Sequence, residues 1–460
     1  MNNNKILVYL GVLLASIAIA YFAIRGQLSP QVVGTLIFLL VFIPTLFKPE
    51  IGLIIIVISM LFSPDVILGR TAARQITVRI EDIFLLVVIL ASLVRTTFTK
   101  GLVGIFRSRI TAPAFLYIAA CILSTVFFQV FSSEVDLGHA GLIILKYLQY
   151  FILFFVVKDN LKGYKQAKRL IIGLFIVALA VSLYSNRVIE QNIASGVGTF
   201  RVTPPVETSG GGESSTLGAY LLLMMGLAAG LMLYSANAKT RILLAILNLL
   251  MFRAFLYTLS RGSYLGFIPM LLTLLFFARK KIVFFVISVL LFMVFAFFVP
   301  EMIRDRISST ITQKHDAQVA YWEWDESAQA RLTTWDKVLS QGFPSSPLFG
   351  HGIGGVFIDS QFFSILNDTG LLGLFLFCWL LFRIFKNTMT VLAIDAVRQD
   401  RFSMGLGVGF LAGFVGLIFA SLTMNVFIII RVMEPFWFTA AIIFSLPKLV
   451  PAKEEEAIAL

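Results

Sequence analysis

The feature that most constrains the fold is a series of long apolar segments that carry almost no charge. The clearest of these segments are residues 6–24, 51–68, 143–157, 217–234, 282–299 and 371–385. A stretch of about 20 apolar residues crosses a bilayer as a helix. The composition agrees, because 58% of residues are hydrophobic and only 13% are charged, against about 25% charged in soluble domains. The sequence therefore predicts an all-α polytopic membrane protein.

Apolar runs and their polar breaks predict about 14 transmembrane helices, with 12 as the lower bound. The predicted ranges are 6–24, 31–47, 51–68, 82–94, 112–131, 141–157, 169–185, 216–235, 241–259, 263–278, 282–299, 360–382, 403–421 and 427–446. No small-residue cleavage site follows the first run after Lys5. That run is therefore interpreted as the first membrane helix.

The positive charge is distributed as membrane orientation requires. Net charge is +12, but Lys and Arg cluster in the short connections between apolar runs. Counting them on alternate sides predicts that both termini lie in the cytoplasm. No basic patch with interleaved aromatic residues is present, so a nucleic-acid partner is not expected. Two cysteines and three histidines without ligand spacing predict neither a metal site nor a cofactor.

Two long segments fall on the predicted extracytoplasmic side. Residues 186–215 are rich in Gly, Ser and Pro and predict an irregular loop. Residues 301–359 are the longest polar stretch and predict short helices at 301–312 and 326–341. Loops of this length are usually functional or disordered. Four aromatic residues argue against disorder and could rest at the membrane interface or stack on sugar rings: Tyr321, Trp322, Trp324 and Trp335.

Three arginines in the extracytoplasmic segments are candidates for binding phosphate. Arg261 follows Ser260 and precedes Gly262, and it is either an orientation charge or a phosphate ligand. Arg201 is either a solvated loop charge or part of a phosphate-binding loop that includes Glu207. Arg331 lies one helical turn before Trp335, so it is either a surface charge packed on the indole or a third ligand.

Ionisable residues at membrane depth are costly and therefore invite a functional explanation. Asp359 is either a helix N-cap or a general base, and Gln361 follows it. Asp368 is either a functional carboxylate at membrane depth or a salt-bridge partner. Arg253 could pair with Asp368 or Glu434, and Arg431 is spaced one turn from Glu434.

Three motifs resemble the O-antigen ligase and polymerase family of bacterial membrane glycosyltransferases. The first is Ser260-Arg261-Gly262, and the second is Arg331-Leu332 with Trp335. The third is the glycine-rich run 347–354, which continues through Asp359 to 368–373. Their order and spacing cover roughly residues 190–385. The resemblance implies a GT-C-like fold and divides the chain into residues 1–185, an O-antigen ligase-like core at 186–385, and a C-terminal part at 386–460.

The resemblance also implies an activity on the outer face of the bacterial cytoplasmic membrane. Members transfer an oligosaccharide from undecaprenyl diphosphate to lipid A-core or to another lipid-linked unit, without a metal or nucleotide sugar. Arg201, Arg261 and Arg331 would bind the diphosphate, and Gln361, Glu207 and Trp335 would contact the acceptor or its sugars. Flippases and chain-length regulators are the protein partners that such a role would involve.

One position departs from the ligase pattern. Ligases of the family use a His-Asn pair, where this chain has Asp359-Ser360. The departure favours a polymerase of O-antigen, capsule or exopolysaccharide, with Asp359 as the catalytic base and Arg331 as a catalytic residue that stabilises the diphosphate leaving group. His351 lies in a glycine turn and is not expected to replace the missing histidine. The alternatives are a ligase, a flippase for the same lipid-linked sugar, and an inactive scaffold.

Overall fold

The structure is a computed structural model that describes residues 30–62, 65–70, 75–99, 108–132, 136–205, 213–278, 282, 304, 311–316, 319–324, 326–356 and 358–451. Helices dominate these residues. The longer ones are α1 (Pro30–Phe47), α2 (Pro49–Phe62), α3 (Ile80–Thr99), α4 (Thr111–Ser132), α5 (Leu137–Asn160), α6 (Tyr164–Ala194), α7 (Ser214–Tyr234), α8 (Ala238–Leu256), α9 (Arg261–Phe277), α10 (Glu326–Lys337), α11 (Gln361–Ala393), α12 (Arg401–Ala420) and α13 (Ile430–Leu449).

Seven of the described helices are long and apolar enough to cross a membrane, namely α4, α5, α6, α7, α11, α12 and α13. Apolar stretches of α1, α2, α3 and α9 are shorter. The prediction of a helical polytopic membrane protein is confirmed. The predicted helices 6–24 and 282–299 lie outside the described residues, apart from Ile282. The number of 14 spans and the GT-C likeness stay predictions.

Glycines bring the central helices into backbone contact. A Cβ added to Gly230 of α7 would lie 2.3 Å from the Cα of Gly409 in α12, and one added to Gly226 would lie 2.9 Å from that of Gly413. Gly266 of α9 approaches the carbonyl of Gly416 in the same way. Small residues four apart allow such close packing in membranes, where dispersion rather than hydrophobicity holds helices together.

The irregular loop predicted at 186–215 begins later than expected. Helix α6 continues to Ala194, and within it Asn186 and Asn192 each donate a side-chain amide hydrogen bond to the carbonyl four residues earlier. The helix ends where Gly196 adopts φ 66° and the amide of Val197 bonds the carbonyl of Asn192. This is the usual glycine C-cap, which needs a left-handed residue.

Two β-hairpins are additions that the all-α expectation did not include. One pairs β1 (Asp65–Arg70) with β2 (Gln75–Arg79), so the helix predicted at 51–68 ends instead at Phe62. Pro64 follows, and proline disfavours helix at the residue before it. The other pairs β3 (Ile311–Asp316) with β4 (Val319–Trp324), within the long polar stretch.

The helix expected at 326–341 is present as α10, which ends in a π-helical turn at Val338–Gly342. The last two residues of the helix predicted at 301–312 belong to strand β3, and most of its other residues lie outside the described ranges. Both predicted domain boundaries, at 185/186 and 385/386, fall within helices, α6 and the part of α11 that follows Gly370. The described core is one cluster of buried apolar residues that spans these points.

Candidate functional site: an arginine-lined cavity

The three arginines singled out in the sequence line one cavity. Arg201, Arg261 and Arg331 lie more than 50 residues apart in the chain, yet all border a space of about 310 Å³. That volume is at the lower end of the range for small-molecule sites. The other lining residues are Glu213, Ser214, Ser215, Leu259, Ser260, Gly262, Thr423 and Met424.

Arg261 reaches the cavity because it is the first residue of α9. Ser260 is the N-cap, and its Oγ accepts a hydrogen bond from the amide of Ser263. A serine N-cap satisfies an amide that the helix itself cannot. The Ser-Arg-Gly motif is therefore a helix start that brings a guanidinium to the end of the helix where the backbone amides point outward.

Arg201 is held beside Arg261 by the loop that follows α6. The amide of Val202 donates to the carbonyl of Tyr257, with the two atoms 3.0 Å apart. The ring of Phe200 stacks on Tyr257, with centroids 5.6 Å apart. Tyr257 belongs to the short connection between α8 and α9, so both residues flanking Arg201 are fixed to the segment that leads into Arg261.

A second helix start borders the same cavity. Helix α7 begins at Ser214 with Glu213 as its N-cap, and both residues line the cavity with Ser215. Free amides at a helix N-terminus give a partial positive charge that attracts anions. Two helix starts and three guanidinium groups outweigh the described carboxylates, Glu213 in the lining and Asp359 beside Arg331, so this cavity is suited to a compact anion.

Gly262 allows Thr423 and Met424 to pack closely against the start of α9, where they line the cavity. A Cβ on this residue would lie 2.6 Å from Oγ1 of Thr423 and 3.0 Å from Sδ of Met424. Those two residues belong to the connection between α12 and α13, residues 421–429. The sequence interpretation missed this connection, because its polar residues form no motif and only the tertiary packing brings them to Arg261.

Arg331 links the cavity to Asp359. Its Nε donates to Oδ2 of Asp359 at 3.4 Å, and the side chains are 26% and 40% exposed. Trp335, one turn later on α10, stacks on Phe363 of α11 with centroids 4.9 Å apart. Arg331 and Trp335 therefore lie on one face of α10, as predicted. Through Asp359 and Phe363, that face packs against the start of α11. One face of the indole is occupied by Phe363 and is not open to a sugar.

The glycine-rich motif builds a break in α11. Gly370 has φ 62°, and a Cβ there would lie 2.5 Å from the carbonyl carbon of Leu348. The loop supplies the hydrogen bonds that the break removes. The amide of Leu371 donates to the carbonyl of Pro347, and the amide of His351 donates to that of Asn367. Unsatisfied backbone groups at membrane depth are costly, so the motif allows a broken helix to remain stable.

His351 is engaged in this loop. Its Nε2 lies 2.8 Å from Oγ of Ser345, and its Nδ1 lies 3.1 Å from the carbonyl oxygen of Asn367. The ring also packs edge-on against Phe128. These contacts support the interpretation that His351 is structural and does not replace a catalytic histidine.

Several individual assignments need correction. Ser360, not Asp359, is the N-cap of α11. Asp368 accepts hydrogen bonds from Ser364 and Asn367 and is not seen in a salt bridge among the described residues. Arg253 donates to Glu190 and Asn186, not to Asp368 or Glu434.

Gln361 does not have the exposure that sugar binding requires. It is 2% exposed, its Oε1 accepts from the amide of Phe427, and its Nε2 donates to the hydroxyl of Tyr147. We therefore assign it a structural role that joins α11 to α5 and to the 421–429 connection. Glu207 lies outside the described residues, so its assignment stays a prediction. Within the described ranges, no group of three or more His, Cys, Asp or Glu side chains could hold a metal ion.

Comparison with known protein families gives a match to one part of the chain. Residues 246–378 match the family model described as O-antigen ligase, a range that includes Arg261, Arg331 and Asp359. No curated protein matches the chain. The match covers the three motifs that carried the resemblance, although it spans well under half of the chain. Residues 246–378 are therefore similar to the O-antigen ligase family, which supports the resemblance that the three motifs indicated.

Proposed function

We propose that this protein is a polysaccharide polymerase that transfers an oligosaccharide from undecaprenyl diphosphate to a lipid-linked acceptor. The observation that carries the proposal is the convergence of Arg201, Arg261 and Arg331 on one cavity. Guanidinium groups bind phosphate oxygens through two parallel donors and stay charged at every physiological pH. Among the described residues, the three arginines exceed the carboxylates of Glu213 and Asp359 in charge, so the cavity attracts a negatively charged sugar-linked diphosphate diester.

Charge at the other end of the helices supports an extracytoplasmic site. Helices α7 and α9 begin at the cavity, and α12 ends beside it, so their other ends face the opposite side. Basic residues cluster near that opposite side: Lys158, Lys162, Lys165, Lys168, Arg169, Lys239, Arg241, Arg383, Lys386, Arg398, Arg401 and Lys448. Lys and Arg favour cytoplasmic connections. With that orientation the cavity faces the exterior of the cytoplasmic membrane, where lipid-linked sugars are assembled.

The proposed reaction uses the arginine cavity and the carboxylate of Asp359, both of which Arg331 contacts. The acceptor hydroxyl attacks the anomeric carbon, and the bond from that carbon to the diphosphate oxygen breaks with its electron pair. The arginines neutralise the charge that develops on the diphosphate, which is often the dominant contribution to catalysis. Asp359 takes the proton from the hydroxyl, and because the attack is a single direct displacement, inversion at the anomeric carbon is expected. Its carboxylate is near the cavity and partly exposed, as a base for an incoming acceptor must be.

Two observations favour a polymerase over a ligase. Asp359-Ser360 stands where ligases of the family have His-Asn, and His351 is bonded within its own loop. A ligase with Asp359 as the base remains the second candidate. A flippase is less favoured because the arginines gather at one end of the helices and do not follow a path through them.

The test uses purified protein, a single polyprenyl-diphosphate-linked repeat unit, a metal chelator and no other acceptor. A polymerase produces a ladder of glycan lengths on a gel. Arg331→Ala should slow the ladder about 10²–10³-fold, the usual effect of losing one such donor. Arg169→Ala is the matched control, because Arg169 pairs with Glu50 away from the cavity.

The base is tested separately. Asp359→Asn should lower turnover by about 10²–10⁴-fold, the usual contribution of a general base, while the affinity for the donor is retained.

A ladder of normal rate from Arg331→Ala would refute the role of the cavity. If wild-type protein gives no ladder while an active ligase control transfers glycan to its acceptor, the polymerase assignment fails.

A further inference from the structure

The connection between α12 and α13, residues 421–429, contacts both halves of the candidate site. Thr423 and Met424 line the arginine cavity. Asn425 is next in the chain, and its Nδ2 donates to the carbonyl of Ile358 with the atoms 2.8 Å apart. Ile358 directly precedes Asp359. One short connection therefore borders the cavity and also holds the residue next to the carboxylate.

Asp359 is the central residue of a tight turn. The amide of Ser360 donates to the carbonyl of Ile358 at 2.9 Å, which closes a three-residue turn around Asp359. The carbonyl of Ile358 thus accepts two hydrogen bonds, one from within the turn and one from Asn425. A carbonyl oxygen has two lone pairs, so both are used to fix this turn.

The residues after Asp359 are fixed by the same connection. The amide of Gln361 donates to the carbonyl of Ser421 at 3.0 Å, and Oε1 of Gln361 accepts from the amide of Phe427 at 2.9 Å. Ile358 and Ser360 are both 1% exposed, whereas the carboxylate of Asp359 is 40% exposed. The backbone at Ile358 and Ser360–Gln361 is therefore held by hydrogen bonds, while the side chain of Asp359 contacts Arg331 and stays partly exposed.

We propose that Asn425 is a positioning residue for Asp359. It acts through the carbonyl of Ile358 and sets the distance from the carboxylate to the diphosphate cavity, without touching the substrate. The inference rests on the proposed function of Asp359 as the base. It adds a residue outside the O-antigen ligase match at 246–378. A displacement of about 1 Å at a reacting group can cost about 10²-fold in rate.

The kinetic test compares Asn425→Ala with Asn192→Ala. Asn192 is the matched control, because its Nδ2 also donates to a backbone carbonyl, but to Val188 of its own helix. Asn425→Ala should lower kcat about 10²-fold and leave the KM for the lipid-linked donor unchanged, since the arginines remain. Asn425→Asp should behave alike, because a carboxylate has the same shape but cannot donate to Ile358. An effect on KM equal to that on kcat would overturn the proposal.

A second measurement does not depend on activity. Hydrogen–deuterium exchange of peptides that cover residues 358–361 reports the closed turn directly. Asn425→Ala should raise exchange at the amide of Ser360, and Asn192→Ala should not. Unchanged exchange overturns the inference even if the protein is a polymerase. If Arg331→Ala loses the ladder but Asn425→Ala has normal kinetics, this inference alone is refuted. If Arg331→Ala gives a normal ladder, the proposed function is refuted.

Discussion

Replacement of Gly230 by alanine tests the close packing of α7 against α12. The added Cβ would lie 2.3 Å from Cα and 2.4 Å from N of Gly409, and 2.5 Å from the carbonyl oxygen of Gly405. Carbon atoms normally stay about 3.5–4.0 Å apart, so the helices must separate locally by about 1 Å. All three obstructing atoms are backbone, and no side-chain rotation can relieve the contact.

The cost should therefore lie at the upper end of the 1–3 kcal/mol range typical of overpacked cores. Helices α7 and α12 also lose dispersion contacts with each other when they separate. At about 2 °C per kcal/mol for a large chain, the unfolding midpoint should fall by roughly 5 °C. Thermal unfolding in detergent, followed by tryptophan fluorescence at one scan rate, measures this shift.

Gly141→Ala is the matched control for the same substitution. Gly141 lies inside helix α5, and a Cβ there meets no atom within 4 Å. Alanine favours a helix over glycine by about 1 kcal/mol, so this variant should unfold at the wild-type temperature or slightly above it. If Gly230→Ala unfolds at the same temperature as Gly141→Ala, the backbone contact between α7 and α12 is not as close as described, and the packing argument fails.

Three further substitutions test other parts of the structure. Gly370→Ala should destabilise the protein by about 2 kcal/mol or more, because it combines a left-handed residue with a contact on Leu348; thermal unfolding measures this, and an unchanged midpoint would argue against the broken helix. Gly262→Ala should weaken donor binding by narrowing the cavity, and Thr423→Ala in the same protein should restore it, as a binding titration would report. Arg253→Ala should change stability by less than about 1 kcal/mol, since its pairing with a carboxylate is exposed, and should leave the ladder intact; a lost ladder would extend the site to α8.

Comparison of sequence and structure shows that some motif residues have structural roles that the sequence did not indicate. Ser260-Arg261-Gly262 indicated a phosphate ligand, and the structure adds that Ser260 is a cap and that Gly262 makes room for Thr423. The run 347–354 carried the family resemblance, but its glycines close a loop onto the break at Gly370. The interpretation of Gln361 as a sugar contact rested on its place beside Asp359, and burial at 2% exposure argues against it.

The sequence by itself determined features that depend on neighbouring residues in the chain, namely the helices and their orientation in the membrane. Runs of apolar residues determine helices because about 20 such residues must satisfy their backbone hydrogen bonds within the bilayer. Positions of Lys and Arg predict orientation for a similarly local reason. Helix ends were harder to predict: the helix predicted to end at residue 185 continues to Ala194 and ends before the left-handed Gly196.

Only the tertiary structure decided which residues meet. Arg201 reaches Arg261 through the contact of Val202 with Tyr257, and Asn425 reaches Ile358 across more than 60 residues of chain. No pattern of period or composition encodes such pairs, because each joins segments that are distant in the chain and meet only when the helices pack. The arginines were visible in the sequence, but the cavity that they share exists only once those helices are in contact.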